Sequence, residues 1–180
     1  MLLIDTHAHY DFKEFDEDRK EVFEKLKTKV EKVVNIGINL KSCLDSIQYS
    51  KLYDYFYVAI GIHPQEVQNM YNLDDIENVY IDNGGNKIVA IGETGLDYHF
   101  DYPKELQKEY FIKHINLANK LNLPIIIHAR DSHEDVLEIL KFHKVNKNGI
   151  MHCYSGNPII LEEFIKLGYY ISFGRSNHKI

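Results

Sequence analysis

Long apolar runs are missing from this chain of 180 residues. No stretch approaches the roughly 18–20 consecutive apolar residues that a membrane-crossing helix needs, so no membrane partner is expected. Basic charge is also short. The formal net charge is −6, and nothing global draws such a surface to a polyanion. The Lys-rich "EKLKTKVEK" alternates acid and base, as a solvated helix face does. Cysteine is limited to Cys43 and Cys153, without a close pairing pattern. That excludes a disulfide scaffold and points to a reducing, cytoplasmic setting. The opening "MLLIDTHAHYDF" has no basic leader and is not expected to be a signal peptide. Its first apolar run is not followed by a Gly-rich turn, which argues against a dinucleotide-binding doubly wound sheet.

What is present is a regular beat of apolar runs and charged helical segments. Hydrophobic content of 44% with 27% charged residues is that of an ordinary globular domain, and the length suits one domain. The runs "LLIDTH", "VEKVVNIGI", "YFYVAIGI", "NKIVAIGETG", "LPIIIHARD", "NGIMHCYSG" and "YYISFG" are nearly continuous and rich in β-branched residues, as strands buried on both faces are. Segments of helical periodicity separate them. The pattern predicts an α/β fold with seven parallel strands and six helices. Polar residues collect at the C-terminal ends of several strands, the distribution a TIM-like (β/α) barrel produces at its mouth. A complete barrel has eight strands, so the expected barrel is incomplete.

The strand ends carry histidine. His7 and His9 flank Ala8, and residues two apart on a strand share a face, so both imidazoles can reach one metal ion. Asp5, on the same face by alternation, is expected to orient one of those rings. His63, His128 and His152 end three further strands, and Glu93 ends a fourth in "AIGETG". An isolated strand-end histidine is usually a hydrogen-bonded core residue. Five such tips facing one cavity instead suggest a metal centre in which the Glu93 carboxylate lies between two groups of histidines. Mixed nitrogen and oxygen ligands suit zinc, manganese or a similar ion without selecting one.

The motifs "LIDTHAHYD", "AIGIHP", "AIGETGLDY", "LPIIIHARD", "MHCYSG" and "GYYISFG" together resemble the TatD family of metal-dependent deoxyribonucleases, within the amidohydrolase-like barrels. Relatives that bridge their metals through a modified lysine are set apart by Glu93 in "IGETG". The resemblance implies two divalent ions (zinc, magnesium or manganese), with His7, His9 and Glu93 holding the first and Glu93, His128 and His152 the second. It implies catalytic roles for Glu93 and His63, and substrate contacts from His63, Arg130 and Tyr98. Arg130 is either a phosphate partner or, facing the helices, a partner of Asp131. Tyr10, Tyr98 and Tyr154 adjoin ligand motifs and are candidates to stack on bases. DNA, single-stranded or at a 3′ end, is the implied substrate. The alternatives are a non-catalytic metal-binding fragment and an ester hydrolase acting on aminoacyl-tRNA.

One family feature is not found. The resemblance implies an aspartate at the end of an eighth strand, in a Thr-Asp-Ser-Pro-like segment, and "RSNHKI" follows Gly174 instead. The expected organisation is therefore a TatD-like unit over 1–174 and a divergent tail over 175–180, with the chain truncated, its activity impaired, and self-association through the open barrel edges.

Overall fold

The fold is described from a computed structural model over residues 2–174; the divergent tail expected at 175–180 lies outside the described residues. Strands and helices alternate along the chain: β1 (Leu3–Ala8), α1 (Arg19–Leu26), β2 (Val30–Ile36), α2 (Leu40–Leu52), β3 (Phe56–Ile60), α3 (Leu73–Asp82), β4 (Ile88–Asp97), α4 (Lys104–Leu121), β5 (Ile125–Arg130), α5 (His133–Phe142), β6 (Gly149–Met151), α6 (Pro158–Lys166) and β7 (Tyr170–Ile171). The seven strands form one sheet in sequential order, and every neighbouring pair is parallel. This is the α/β, TIM-like architecture that the periodicity predicts.

Three of the helices, α2, α3 and α6, begin where the short polar side chain of an asparagine takes up a free backbone N–H group. Asn39 and Ser42 form a reciprocal capping box at α2. Asn72 accepts from the Asp74 N–H at α3, and Asn157 accepts from the Ile160 N–H at α6. Each helix turns an apolar stripe onto the sheet. Phe111 and Ile115 of α4, Ile47 of α2 and Val136 of α5 join Val58, Ile60, Leu96 and Ile127 in the layer between helices and strands. On the other face of the sheet, Ile36, Ala59, Ala90 and Ile126 form a small inner cluster.

The sheet is curled. Laid flat, strands five places apart would stand roughly 24 Å from one another at the usual spacing. Yet His7 of β1 and His152, just after β6, stack ring on ring with centroids 3.4 Å apart. Curling brings the C-terminal strand ends to one concave mouth, while β1 and β7 remain the two edges of the strand order.

Two local features set the interior of this mouth. The pairing of β4 with β5 shifts register between Ile91 and Thr94. Ala90 faces inward, so strict alternation would point Glu93 outward; the irregularity resets it. Glu93, Gly95 and Asp97 then share the inner face. Gly95, at φ +136°, has no Cβ for a steric reason: one placed there would lie 2.1 Å from the His128 carbonyl oxygen. Only glycine lets β4 approach β5 this closely.

Candidate metal centre

The mouth is a cleft of about 630 Å³ whose lining includes His9, His63, Glu93, His128, Arg130 and His152. Glu93 is 3% exposed and uses its two oxygens in two directions. Oε2 lies 3.3 Å from His7 Nε2 and 3.8 Å from His9 Nε2. Oε1 lies 3.1 Å from His128 Nδ1. Burial pushes the Glu93 carboxyl up, but hydrogen bonds from His128 and His7 outweigh it and hold the pKa well below the ordinary range.

Two groups of three potential ligand atoms occur among the described residues: His7, His9 and Glu93, and His63, Glu93 and His128. The first group fits a cation on chemical grounds. His9 places Nδ1 3.1 Å from the Ile36 carbonyl oxygen, so Nδ1 is the donor and Nε2 carries the lone pair. Burial lowers the His9 pKa, which keeps that lone pair free. His9 Nε2 faces His7 Nε2 at 3.2 Å. Two imidazole nitrogens converging beside a carboxylate make a donor set suited to a divalent ion, and the carbonyl behind His9 is the kind of support that metal-binding histidines use.

The second group differs from the set implied by family resemblance. His63, rather than His152, comes within ligand distance of Glu93 and His128. Proximity alone does not make His63 a ligand. Its Nδ1 accepts the Gln65 backbone N–H at 3.2 Å, and burial lowers its pKa to about 4. The ring is therefore neutral with its proton on Nε2, a hydrogen-bond donor, and it stands in the lining of the cleft. His152 is also held neutral, its pKa lowered to about 4 chiefly by burial, and it stacks on His7.

His128 stands between two carboxylates. Nδ1 meets Glu93, and Nε2 lies 3.2 Å from Asp97 Oδ2. Burial lowers its pKa, but Asp97 and Glu93 override that and raise it to about 9. Asp97 is 0% exposed, and the sequence reading did not single it out. The signal was its place two residues past the glycine that follows Thr94, on the same face as Glu93. Phe12, stacked on His9 with centroids 4.7 Å apart, was missed as well.

The remaining expected residues are distributed unevenly. Arg130 lines the cleft and sets its guanidinium 5.4 Å over the Phe100 ring, while Asp131 contacts His99 instead. Tyr98 is not brought to the cluster, since its hydroxyl donates to Asp135 at 2.7 Å. Tyr10 packs among Phe15, Phe23 and Phe56, and the Tyr154 hydroxyl donates to the Asn157 carbonyl. Asp5 does not orient an imidazole. Its oxygens accept from the His7 backbone N–H and the Tyr10 hydroxyl, both at 3.2 Å, because a register shift between Asp5 and Ala8 breaks the alternation that would align it with the rings.

Imidazoles and a shared carboxylate at the C-terminal mouth of a TIM-like parallel sheet define the class of metal-dependent hydrolases built on (β/α) barrels. Comparison with known proteins narrows the class. The family model "TatD related DNase" matches residues 4–179, and the chain belongs to the TatD family. It is 43% identical over 176 residues to the metal-dependent hydrolase YabD of Bacillus subtilis, covering 96% of this chain and 69% of that protein. It is 30% identical to the human deoxyribonuclease TATDN3, covering 94% and 67%. The crystal structure of YjjV, a TatD homologue from Escherichia coli K12, superposes with a TM-score of 0.86 at 29% identity, covering 94% of this chain and 66% of that one. The chain thus spans about two thirds of the length of these relatives. No helix among the described residues is long and apolar enough to cross a membrane.

Proposed function

We propose that this chain carries the metal centre of a TatD-type deoxyribonuclease, hydrolysing phosphodiester bonds of DNA with a pair of divalent cations that share Glu93. The observation that carries the reading is the division of the Glu93 carboxylate, one oxygen toward His7 and His9 and the other toward His128. His7, His9 and Glu93 would hold one cation. Glu93 and His128, with His152 in the same cleft, would hold the other. Such cations supply positive charge to phosphoryl oxygens and acidify water. They also resolve the charge problem, because an acidic chain needs positive potential only where the phosphate sits.

The protein groups then divide the remaining work. His63, neutral and protonated on Nε2, donates a hydrogen bond to a phosphate oxygen. Arg130 adds a fixed positive charge at the rim, and Phe12 offers an exposed ring face to an unpaired base. The name of the human relative supports DNA as the substrate. Zinc, magnesium and manganese all suit the donor set.

Elemental analysis of protein purified without chelator is the first test, followed by hydrolysis of single-stranded DNA and of aminoacyl-tRNA with added metal. Bound divalent metal that is lost in Glu93→Gln, with DNA preferred, is the expected result. Metal binding without turnover would mean a non-catalytic metal-binding fragment, hydrolysis of aminoacyl-tRNA alone an ester hydrolase. A chain that holds no metal overturns the reading. The sheet edges expose Leu3 and Ile4 on one side and Tyr170 on the other, and self-association through β1 and β7 is the assembly we expect. Sedimentation at low micromolar concentration checks it, and a monodisperse monomer refutes it.

A further inference from the structure

Asp97 is a buried carboxylate with an unusual set of partners. Oδ1 accepts the His99 backbone N–H at 3.0 Å. Oδ2 accepts the Gln65 side-chain amide at 2.7 Å and faces His128 Nε2 at 3.2 Å. Its own backbone is clamped by Gln107, whose side chain accepts the Asp97 N–H at 2.7 Å and donates to the Asp97 carbonyl at 3.0 Å. No lysine or arginine neutralises it among these contacts. Its charge partner is one imidazole. A buried carboxylate is costly unless paired and hydrogen-bonded; the His99 N–H and the Gln65 amide supply hydrogen bonds, and the His128 ring supplies the pairing.

We propose that Asp97 is the positioning residue of this centre. It holds the Nε2–H of His128 and so leaves Nδ1, beside Glu93, as the nitrogen that meets a divalent cation. The inference rests on the metal reading above. Both Asp97 oxygens are taken up by N–H groups, so Asp97 supports a ligand and is not itself one. A carboxylate accepting the distal N–H of an imidazole fixes its tautomer and ring angle and makes the other nitrogen a better donor. The same oxygen reaches the neighbouring ring through Gln65, whose side chain donates to Asp97 Oδ2 while its backbone N–H is accepted by His63 Nδ1. One carboxylate therefore sets which nitrogen of His128 faces the cleft, while His63 is held by its own N-cap bond to the Gln65 backbone.

The test titrates zinc into chelator-stripped protein and reads the histidine ring nitrogens of the zinc-loaded protein by long-range ¹⁵N–¹H NMR. In the unmodified protein, His128 is expected to show zinc on Nδ1 and a proton on Nε2. Asp97→Asn is expected to bind zinc about 10–100-fold more weakly and to change the His128 signals while leaving those of His7 and His9 in place. The unmodified protein decides the question even if Asp97→Asn fails to fold, since zinc on Nε2 of His128 overturns the proposal. Unchanged zinc affinity in a folded Asp97→Asn protein overturns it too, with the metal reading intact. No zinc uptake by the unmodified protein removes the metal reading, and this proposal with it.

Discussion

His114 lies on the helix side of the sheet, away from the cleft, yet it holds the segment that delivers His63. It is 0% exposed. Nε2 accepts the Ile62 backbone N–H at 2.9 Å, and Nδ1 lies 2.7 Å from the Tyr110 carbonyl oxygen. This is the full complement of a neutral ring with its proton on Nδ1. A second proton would have to sit on Nε2, against the Ile62 N–H. Burial accordingly lowers the pKa to about 4, with the Tyr110 hydrogen bond opposing it. An unfolded imidazole titrates near 6.5. The folded pKa is the depressed one, so between about 6.5 and 4 the unfolded chain binds the extra proton and the folded chain does not.

Stability from this residue is therefore present above pH 6.5 and is lost as the pH falls through that window. The slope approaches about 1.4 kcal/mol per pH unit, and the total is about 3 kcal/mol by pH 4. Against the roughly 5–15 kcal/mol of a typical domain, that loss is large. Burial lowers His63 and His152 to about 4 as well, so only the difference between wild type and a variant isolates His114. In His114→Gln the amide can accept from Ile62 and donate to Tyr110, and it does not titrate. Urea denaturation of the chelator-stripped wild type and variant at several pH values from 7.5 to 4.5 supplies the two curves. Their separation should narrow or reverse on acidification by an amount approaching 3 kcal/mol. Parallel curves would falsify the neutral-strut account of His114.

Glu93→Gln should abolish most metal binding at both groups, whereas His7→Ala should weaken only one, and isothermal titration with zinc separates the two patterns. Gly95→Ala places a methyl group against the His128 carbonyl in a backbone region that L-residues avoid, so it should lose on the order of 1–3 kcal/mol by urea midpoint and weaken zinc binding as β4 moves from β5. Phe111→Ala, at a fully buried position, should cost about 3–5 kcal/mol; zinc affinity of the folded fraction should be unchanged. Tyr98→Phe removes only the bond to Asp135 and should cost about 1 kcal/mol without altering zinc uptake; a large loss of zinc affinity would return Tyr98 to the site.

Much of the fold was legible in the linear pattern because it rests on short-range physics. Continuous β-branched runs separated by amphipathic segments have few ways to bury both sheet faces, and the parallel βα alternation follows. His7 and His9 could be paired from their spacing of two, and the histidines ending other strands from the rule that barrel strands present their ends to one mouth. Alternation fails at a register shift, however, and no residue type announces one. The irregularity after Ile91 turned Glu93 inward and carried Asp97 with it, and the one between Asp5 and Ala8 took Asp5 away from the rings. Tyr98 and Asp135, 37 residues apart, meet only because β4 and β5 are adjacent. Which nitrogen of His128 faces the cleft depends on Glu93 and Asp97 arriving from the neighbouring strand, whereas His63 is held locally by the Gln65 backbone N–H. The sequence by itself determined which kinds of ligand would gather at the strand ends. Only the tertiary structure, by placing the Ile36 carbonyl behind His9 and two carboxylates beside His128, decided how those ligands are oriented.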